Sequence, residues 1–529
     1  MLATLFLLLL STGSLAVRLG DEEYSNDVGG VFYVFADLAI HVIDPVALQI
    51  IKNITTDQDG NNLSNVGANG GSNRTPRSWN DVVLAEDPSV NKSYLFINEG
   101  DVYPGPGNQT HSYITVIDTS SAEIVARVEV NPRPVHIYVV NPTQEVWSHS
   151  DTYGTFDIIA VGEPSELNTT VPDTVYIPGH GKLLLDEALF PRSYGTNVHE
   201  QWLNAIDLVQ QARTGSFDFA DSIPSCTGTH SIVYSNISQH AYVECVSGGT
   251  FEWNTVSDTL VHFFGNVSGY MTASLGDDWI TATEASTNLV TLLQPQGNGI
   301  PAKIMYSVVV PGNPQPPVFY SNSTDIYPGI LQDYTIFFPS ADNTNMANLA
   351  TGLNVQSAGY ESRPGDCAYN NTSANSSVGL TLASTPTGLK TPGCGACAPG
   401  FNPFTPSQFN GSLSGVRYVT LPNIASNASH GLEGSATLLS AGAVKPVQAA
   451  NGSTANQCSF GETYRTAVRG GPFIAMNADI PTPSLYIIDA SNAAGPVVYG
   501  TVNTNTSPEK IAWVPFTVPV VDTTILGAL

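Results

Sequence analysis

Ile114-Thr-Val-Ile-Asp118-Thr-Ser-Ser-Ala-Glu-Ile-Val-Ala-Arg-Val-Glu-Val130-Asn-Pro-Arg-Pro134 is the stretch that decides the fold. β-Branched residues crowd both flanks of the polar segment Thr119-Ser-Ser, so it reads as two short strands joined by a turn. Asn131-Pro-Arg-Pro134 ends the second strand, because proline cannot donate to a ladder and restricts the residue before it. The pattern recurs near both ends of the chain. Ile40-His-Val-Ile-Asp44 runs through Pro45-Val-Ala-Leu into Gln49-Ile-Ile-Lys52, and Leu485-Tyr-Ile-Ile-Asp489 precedes a second run from Val497 to Pro508. Other strand-like runs are Val31-Phe-Tyr-Val-Phe35 and Phe156-Asp-Ile-Ile-Ala-Val161. One segment, 197–211, reads either as a helix or as a loop and strand.

These units resemble the YVTN-type repeats of extracellular β-propellers, in which each blade is four antiparallel strands. The resemblance implies an all-β propeller, and the strand runs and the two chain ends read as a seven-bladed β-propeller closed by N- and C-terminal strands that share one blade. Residues 30–54 supply three strands, and Lys510-Ile-Ala-Trp-Val-Pro515 reads as the missing inner strand. The other six blades fall at about 80–130, 132–165, 174–215, 227–264, 267–310 and 430–502. An eight-bladed ring is the alternative, if 315–425 forms a blade. Residues 17–529 are then one domain with long loop insertions at about 55–78, 186–222 and 315–428.

The chain opens with Met1-Leu-Ala-Thr-Leu-Phe-Leu-Leu-Leu-Leu10 followed by small residues to Ala16, the pattern of a signal peptide spanning 1–16. No later stretch has the roughly 18 apolar residues that cross a bilayer. We therefore expect a secreted protein, extracellular or at the cell surface, without membrane insertion. Sixteen Asn-x-Ser/Thr sequons fit that compartment, among them Asn53, Asn73, Asn91, Asn108, Asn168, Asn236, Asn266, Asn322, Asn371, Asn410, Asn427, Asn451 and Asn505. Acidic side chains outnumber basic ones by 45 to 18, which argues against nucleic acid as a partner. The resulting charge of −27 serves solubility.

Histidines stand at matching places in successive repeats: His136 in Pro132-Arg-Pro-Val-His-Ile-Tyr, His180 in Tyr176-Ile-Pro-Gly-His-Gly-Lys, and His230 in Cys226-Thr-Gly-Thr-His-Ser-Ile. Each follows a turn and opens an apolar run, as the innermost strand of a blade would. Their separations of 44 and 50 residues are about one blade each. Three neutral imidazoles with an open fourth position suit zinc, and imidazole also suits copper. His149 and Asp151 follow the His136 strand closely enough to reach the same site, Asp151 as a ligand or as an orienter of one. His430, with Glu433, opens the strand assigned to the last blade and is a further candidate.

The same residues resemble a known family, the bacterial periplasmic zinc chaperones of propeller fold. That family carries RP-x-H, then H-x-(D/G)-G, a later HHG, and C-x-G-x-H-G followed by a second cysteine. This chain is similar at Arg133-Pro-Val-His136, His149-Ser-Asp-Thr-Tyr-Gly154, Gly179-His180-Gly181, Cys226-Thr-Gly-Thr-His230 and Cys245. Gly179 stands in place of the first histidine of the pair, and Ser231 in place of the glycine. The likeness covers about 130–260 and implies metal binding and delivery to another protein.

Six cysteines in an oxidising compartment predict disulfides. A hairpin with Ser235-Asn236 at its tip sets Cys226 opposite Cys245, within bridging reach. Cys394-Gly-Ala-Cys397 is a CxxC without a redox-fold context, so we expect bridges to Cys367 and Cys458. Asp57-Gln-Asp59-Gly-Asn61 lacks the glycine and glutamate of a calcium loop.

The expectation is a glycosylated propeller that captures or transfers a transition-metal ion, zinc or copper, without catalysis. Its partner would be another extracellular or cell-surface protein. Two alternatives are a structural or adhesive glycoprotein of matrix or cell wall, and a metal-dependent propeller hydrolase such as a lactonase.

Overall fold

The computed structural model describes residues 29–36, 39–60, 63, 78–100, 112–177, 179–284, 287, 289–309, 316–321, 334–338, 416–420, 441–444, 467–478, 484–491, 497–504 and 508–516. Among these the chain is nearly all β, arranged as eight four-stranded antiparallel sheets. The first sheet joins both ends of the chain: Gln49–Ile54, Ala39–Asp44 and Gly30–Ala36 are followed at the edge by Pro508–Pro515. The next six sheets are consecutive in sequence. Their first strands are Ser78–Asp87, Pro134–Val140, Leu183–Leu184, Thr229–Ser235, Tyr270–Ala273 and Val318–Tyr320. Ala467–Gly470 opens the eighth.

The aspartate that closes each "V-I-D" strand makes the turn. Asp118 Oδ1 accepts the backbone N–H groups of Ser120 and Ser121. Asp44 does the same for Val46 and Ala47, and Asp207 for Val209 and Gln210. This side-chain turn ends the third strand of a sheet and aims the chain into the fourth.

Apolar cores lie between neighbouring sheets, which explains strands that are apolar without alternation. In Gly30–Ala36, Val31, Tyr33 and Phe35 pack toward Trp79 and Leu95 of the second sheet. Phe32 and Val34 point the other way, onto Phe473, Leu485 and Trp513. Burial on both faces removes the polar half of the usual pattern.

First strands lie beside first strands. Pro508–Pro515 contacts Ser78–Asp87, which contacts Pro134–Val140; Leu183–Leu184 contacts Thr229–Ser235, which contacts Tyr270–Ala273. Val318–Tyr320 contacts Ala467–Gly470, which returns to Pro508–Pro515. Side-chain hydrogen bonds tie further neighbours, Leu183 N–H to Tyr138 Oη and Gly276 N–H to Tyr334 Oη.

Several expectations are corrected. The 186–222 stretch is no loop insertion: it carries Arg192–Gly195, Trp202–Asp207 and Ala212–Asp218 of the fourth sheet. The helical reading of 197–211 fails for the same reason. The 315–428 stretch supplies Val318–Tyr320, Thr335–Phe338 and Val416–Thr420 of a seventh sheet, completed by Ala441–Val444. The first described strand of the sheet placed at 430–502 is Ala467–Gly470, and His430 and Glu433 lie outside the described residues. So do the 1–16 segment, Cys367, Cys394, Cys397 and Cys458, and the sequons at 73, 108, 322, 371, 410, 427, 451 and 505. Asn53, Asn91, Asn168 and Asn266 are exposed. Asn236 differs: its Nδ2 donates to Asp277 Oδ2 at 2.9 Å, and Ser238 of the same sequon is buried with its hydroxyl at Tyr242 Oη. The amide nitrogen that a glycan would take is in use there.

At the junction of the first and eighth sheets, Phe32 and Trp513 meet at a tilt with ring centroids 4.7 Å apart. A Cβ on Gly470 would come within 2.3 Å of Trp513 Cε3 and 2.6 Å of Phe32 Cζ. Gly470→Ala should therefore cost about 1–3 kcal/mol as an overpacking change. Gly162→Ala, which meets nothing within 4 Å, should leave the denaturant midpoint unchanged. Equal midpoints for the two variants would contradict this packing.

Candidate metal centre

His136, His180 and His230 come from the third, fourth and fifth sheets: two stand on first strands, and His180 just before one. One ring nitrogen of each lies within 4.8 Å of the others. All three are thus no more than about 2.8 Å from a common point, so a modest inward shift of the rings would reach the Zn–N bond of about 2.0–2.1 Å. His180 Nε2 and His230 Nε2 are 2.9 Å apart. Ring centroids are 5.1 Å apart for His136 and His180, and 4.8 Å for His180 and His230.

On the other side of each ring stands a carboxylate. His180 Nδ1 is 2.9 Å from Asp151 Oδ2, His230 Nδ1 is 3.4 Å from Glu244 Oε2, and His136 Nδ1 is 3.7 Å from Asp81 Oδ2. At 2.9 Å Asp151 can accept the Nδ1 proton of His180 and leave its Nε2 free as a donor atom, the usual surrounding of a metal-binding imidazole. His136 Nε2 is buried and has no hydrogen-bond partner. Such a nitrogen fits a metal ion, because an unpaired buried polar atom otherwise costs free energy.

Bulges aim these residues. Strand register shifts between Trp79 and Val82, between Pro134 and His136, and between Thr229 and Ile232. Asp81, His136 and His230 sit in or beside these shifts, and a bulge re-aims the side chain it carries. Arg133, at φ +57°, turns its carbonyl to accept the N–H of Asp151 at 3.1 Å. The Arg-Pro lead-in thereby holds the carboxylate behind His180. Gly179 has φ +71°, and a Cβ there would meet His199 at 3.0 Å. The departure from a paired histidine at this position thus has a local cause.

Burial pushes His136 down to about 3, against the pull of Asp81, and also lowers His230 despite Glu244. Both rings are therefore neutral and able to bind a metal at physiological pH. Burial would raise Asp151 and Asp81, but His180 and His136 respectively hold them below the ordinary range. Asp81 keeps 39% of its side chain accessible, so it faces an opening. Burial also brings Lys182 down to about 8, with Asp81 and Glu244 opposing.

His149 does not join the three. It is 0% exposed, its Nε2–H donates to the Ile177 carbonyl at 3.1 Å, and its ring packs on Phe156. Its Nδ1 lies 3.7 Å from Asp151 Oδ1, too far for a hydrogen bond, and it is the other carboxylate oxygen that meets His180.

Cys226 and Cys245 form a disulfide with Cα atoms 5.2 Å apart, beside the strand of His230. The hairpin geometry is not the one expected. Ser235 pairs with His240, so the turn falls two residues later, and it is Thr229 that lies opposite Cys245. Cys226 reaches its partner from the turn before the strand.

Sequence reasoning missed Asp81, Glu244, Lys182 and Tyr270. Glu244 precedes Cys245, and Lys182 follows His180 by two, so proximity to motif residues was their only signal.

No protein-family model matches the chain, and no curated protein matches it. A chain from a mitotic checkpoint complex superposes with a TM-score of 0.35 at 10% identity, over 54% of this chain and 80% of that one. A putative 6-phosphogluconolactonase from Bacteroides fragilis gives a TM-score of 0.39 at 9% identity, over 60% of this chain and 90% of that one. At these scores neither bears on the chemistry of the site.

The lead-in to the His136 strand is held by Asp157, whose Oδ2 accepts the Asn131 N–H at 3.0 Å. Burial raises Asp157 to about 6, outweighing its bonds from Asn131. A carboxyl raised in the folded state weakens folding as pH climbs from about 4 to about 6. Asp157→Asn should thus stabilise the protein at pH 7.5 relative to wild type but not at pH 4. Unfolding midpoints at the two pH values check it; the same difference at both would refute the assignment.

Proposed function

We propose that this chain is a secreted, glycosylated eight-bladed β-propeller that binds a transition-metal ion, zinc or copper, through His136, His180 and His230. It holds the ion for transfer to another extracellular or cell-surface protein, without catalysis. The observation that carries the metal reading is the convergence of three ring nitrogens while a carboxylate stands behind each ring. The ring reading is supported by the contacts of successive first strands and by the pairing of Pro508–Pro515 with Gly30–Ala36. Such an arrangement leaves only short outer edges.

When bound, the ion supplies a Lewis-acidic, exchangeable centre. His136, His180 and His230 would present neutral imidazoles to it, and Asp151, Glu244 and Asp81 would accept or face the Nδ1 protons. His180 remains 31% exposed and His230 22%, which leaves the ion a path in and out. Histidine-only ligation with one position open suits release better than a closed thiolate site would.

Calorimetric titration with zinc should give one equivalent bound, and the His136/His180/His230 triple alanine variant should bind none at that site. Asp151→Asn should weaken affinity about 10- to 100-fold by loosening His180. Absence of zinc and copper binding, or uptake unchanged in the triple variant, would sink the reading.

A further inference from the structure

We propose that the open coordination position takes a small oxyanion, such as a carboxylate, carbonate or phosphate, held by Lys182. The ion would then be held together with its anion. This inference rests on the metal reading above.

Lys182 follows His180 by two residues in an extended segment. The His180 carbonyl accepts from Val198 N–H, and the Lys182 carbonyl accepts from Thr196 N–H. Two residues bonded alike to one neighbouring segment carry their side chains on the same face. The ammonium of Lys182 stands 4.1 Å from the centre of the Tyr270 ring, and that ring meets His230 edge-on at 5.8 Å. The charge of Lys182 bears on both His136 and His230. Among the described residues, no carboxylate lies within ion-pair distance of Lys182. The face of Tyr270 holds the ammonium without neutralising it.

The local charges favour an anion. Asp81, Asp151 and Glu244 stand on the Nδ1 sides of the histidines, behind the rings. Lys510 adds a second cation, near enough to act on both Asp81 and Lys182. A bound dication with these two lysines outweighs the three carboxylates by one positive charge. A small oxyanion fits that surplus: one oxygen completes the metal's coordination and another accepts a charge-assisted hydrogen bond from Lys182.

The test uses cobalt(II) as the probe ion, because its visible absorption reports the ligand set. Wild-type, Lys182→Met and Lys182→Arg proteins are loaded with cobalt in an anion-poor buffer and titrated with acetate, hydrogencarbonate or phosphate. In the wild type the spectrum should shift saturably. Lys182→Met, which keeps the apolar stem, should bind cobalt yet need roughly ten- to a hundredfold more anion. Lys182→Arg should stay near wild type. A cobalt spectrum that ignores all three anions, or an anion response unchanged in Lys182→Met, overturns the proposal. Failure of the wild type to bind cobalt at the three histidines instead overturns the metal reading itself.

Discussion

Packing of the first strand of one sheet against the first strand of the next is the constraint on which the rest of the structure depends. The first sheet buries both faces between its neighbours, so its strands have no freedom to turn away. Residues far apart in sequence are thereby delivered to one place. His136, His180 and His230 belong to three consecutive sheets, and Asp81 belongs to the sheet before them. The junction at Phe32, Trp513 and Gly470 matters for the same reason, because it fixes the last sheet against the first.

Within that frame the site is organised in layers. The imidazoles form the inner layer, and Asp151, Glu244 and Asp81 stand behind them. Behind Asp151 come His149 and the carbonyl of Arg133, the latter turned by a left-handed backbone. The Cys226–Cys245 bridge and the Asn131–Asp157 bonds restrain the approaches to the His230 and His136 strands. Site geometry is thus supported from outside, as a stable constellation of ligands requires.

The strands were legible because β-branched runs, "V-I-D" endings and proline lead-ins are local signals. Asp118 makes its turn with backbone groups only two and three residues on. Histidine spacing was legible too, since equal steps along a repeat become equal steps between sheets. The seventh sheet was legible only as the eight-bladed alternative, because its second and third strands, Thr335–Phe338 and Val416–Thr420, are far apart in sequence. The division between ligand and support was not legible. His149 pairs in register with His136 but donates to the Ile177 carbonyl, which depends on where the neighbouring segment runs. Asp81 and Glu244 were hidden among 45 acidic residues, and only bulged register picks them out.

The central claim is that one ion is held by these three rings, with no other described side chain as a ligand. X-ray absorption at the zinc edge on protein loaded with one equivalent tests it most directly. The account predicts three imidazole nitrogens at about 2.0–2.1 Å, with light-atom scattering alone in the remaining position. A shell containing sulfur, or one without the outer scattering of imidazole rings, would contradict it.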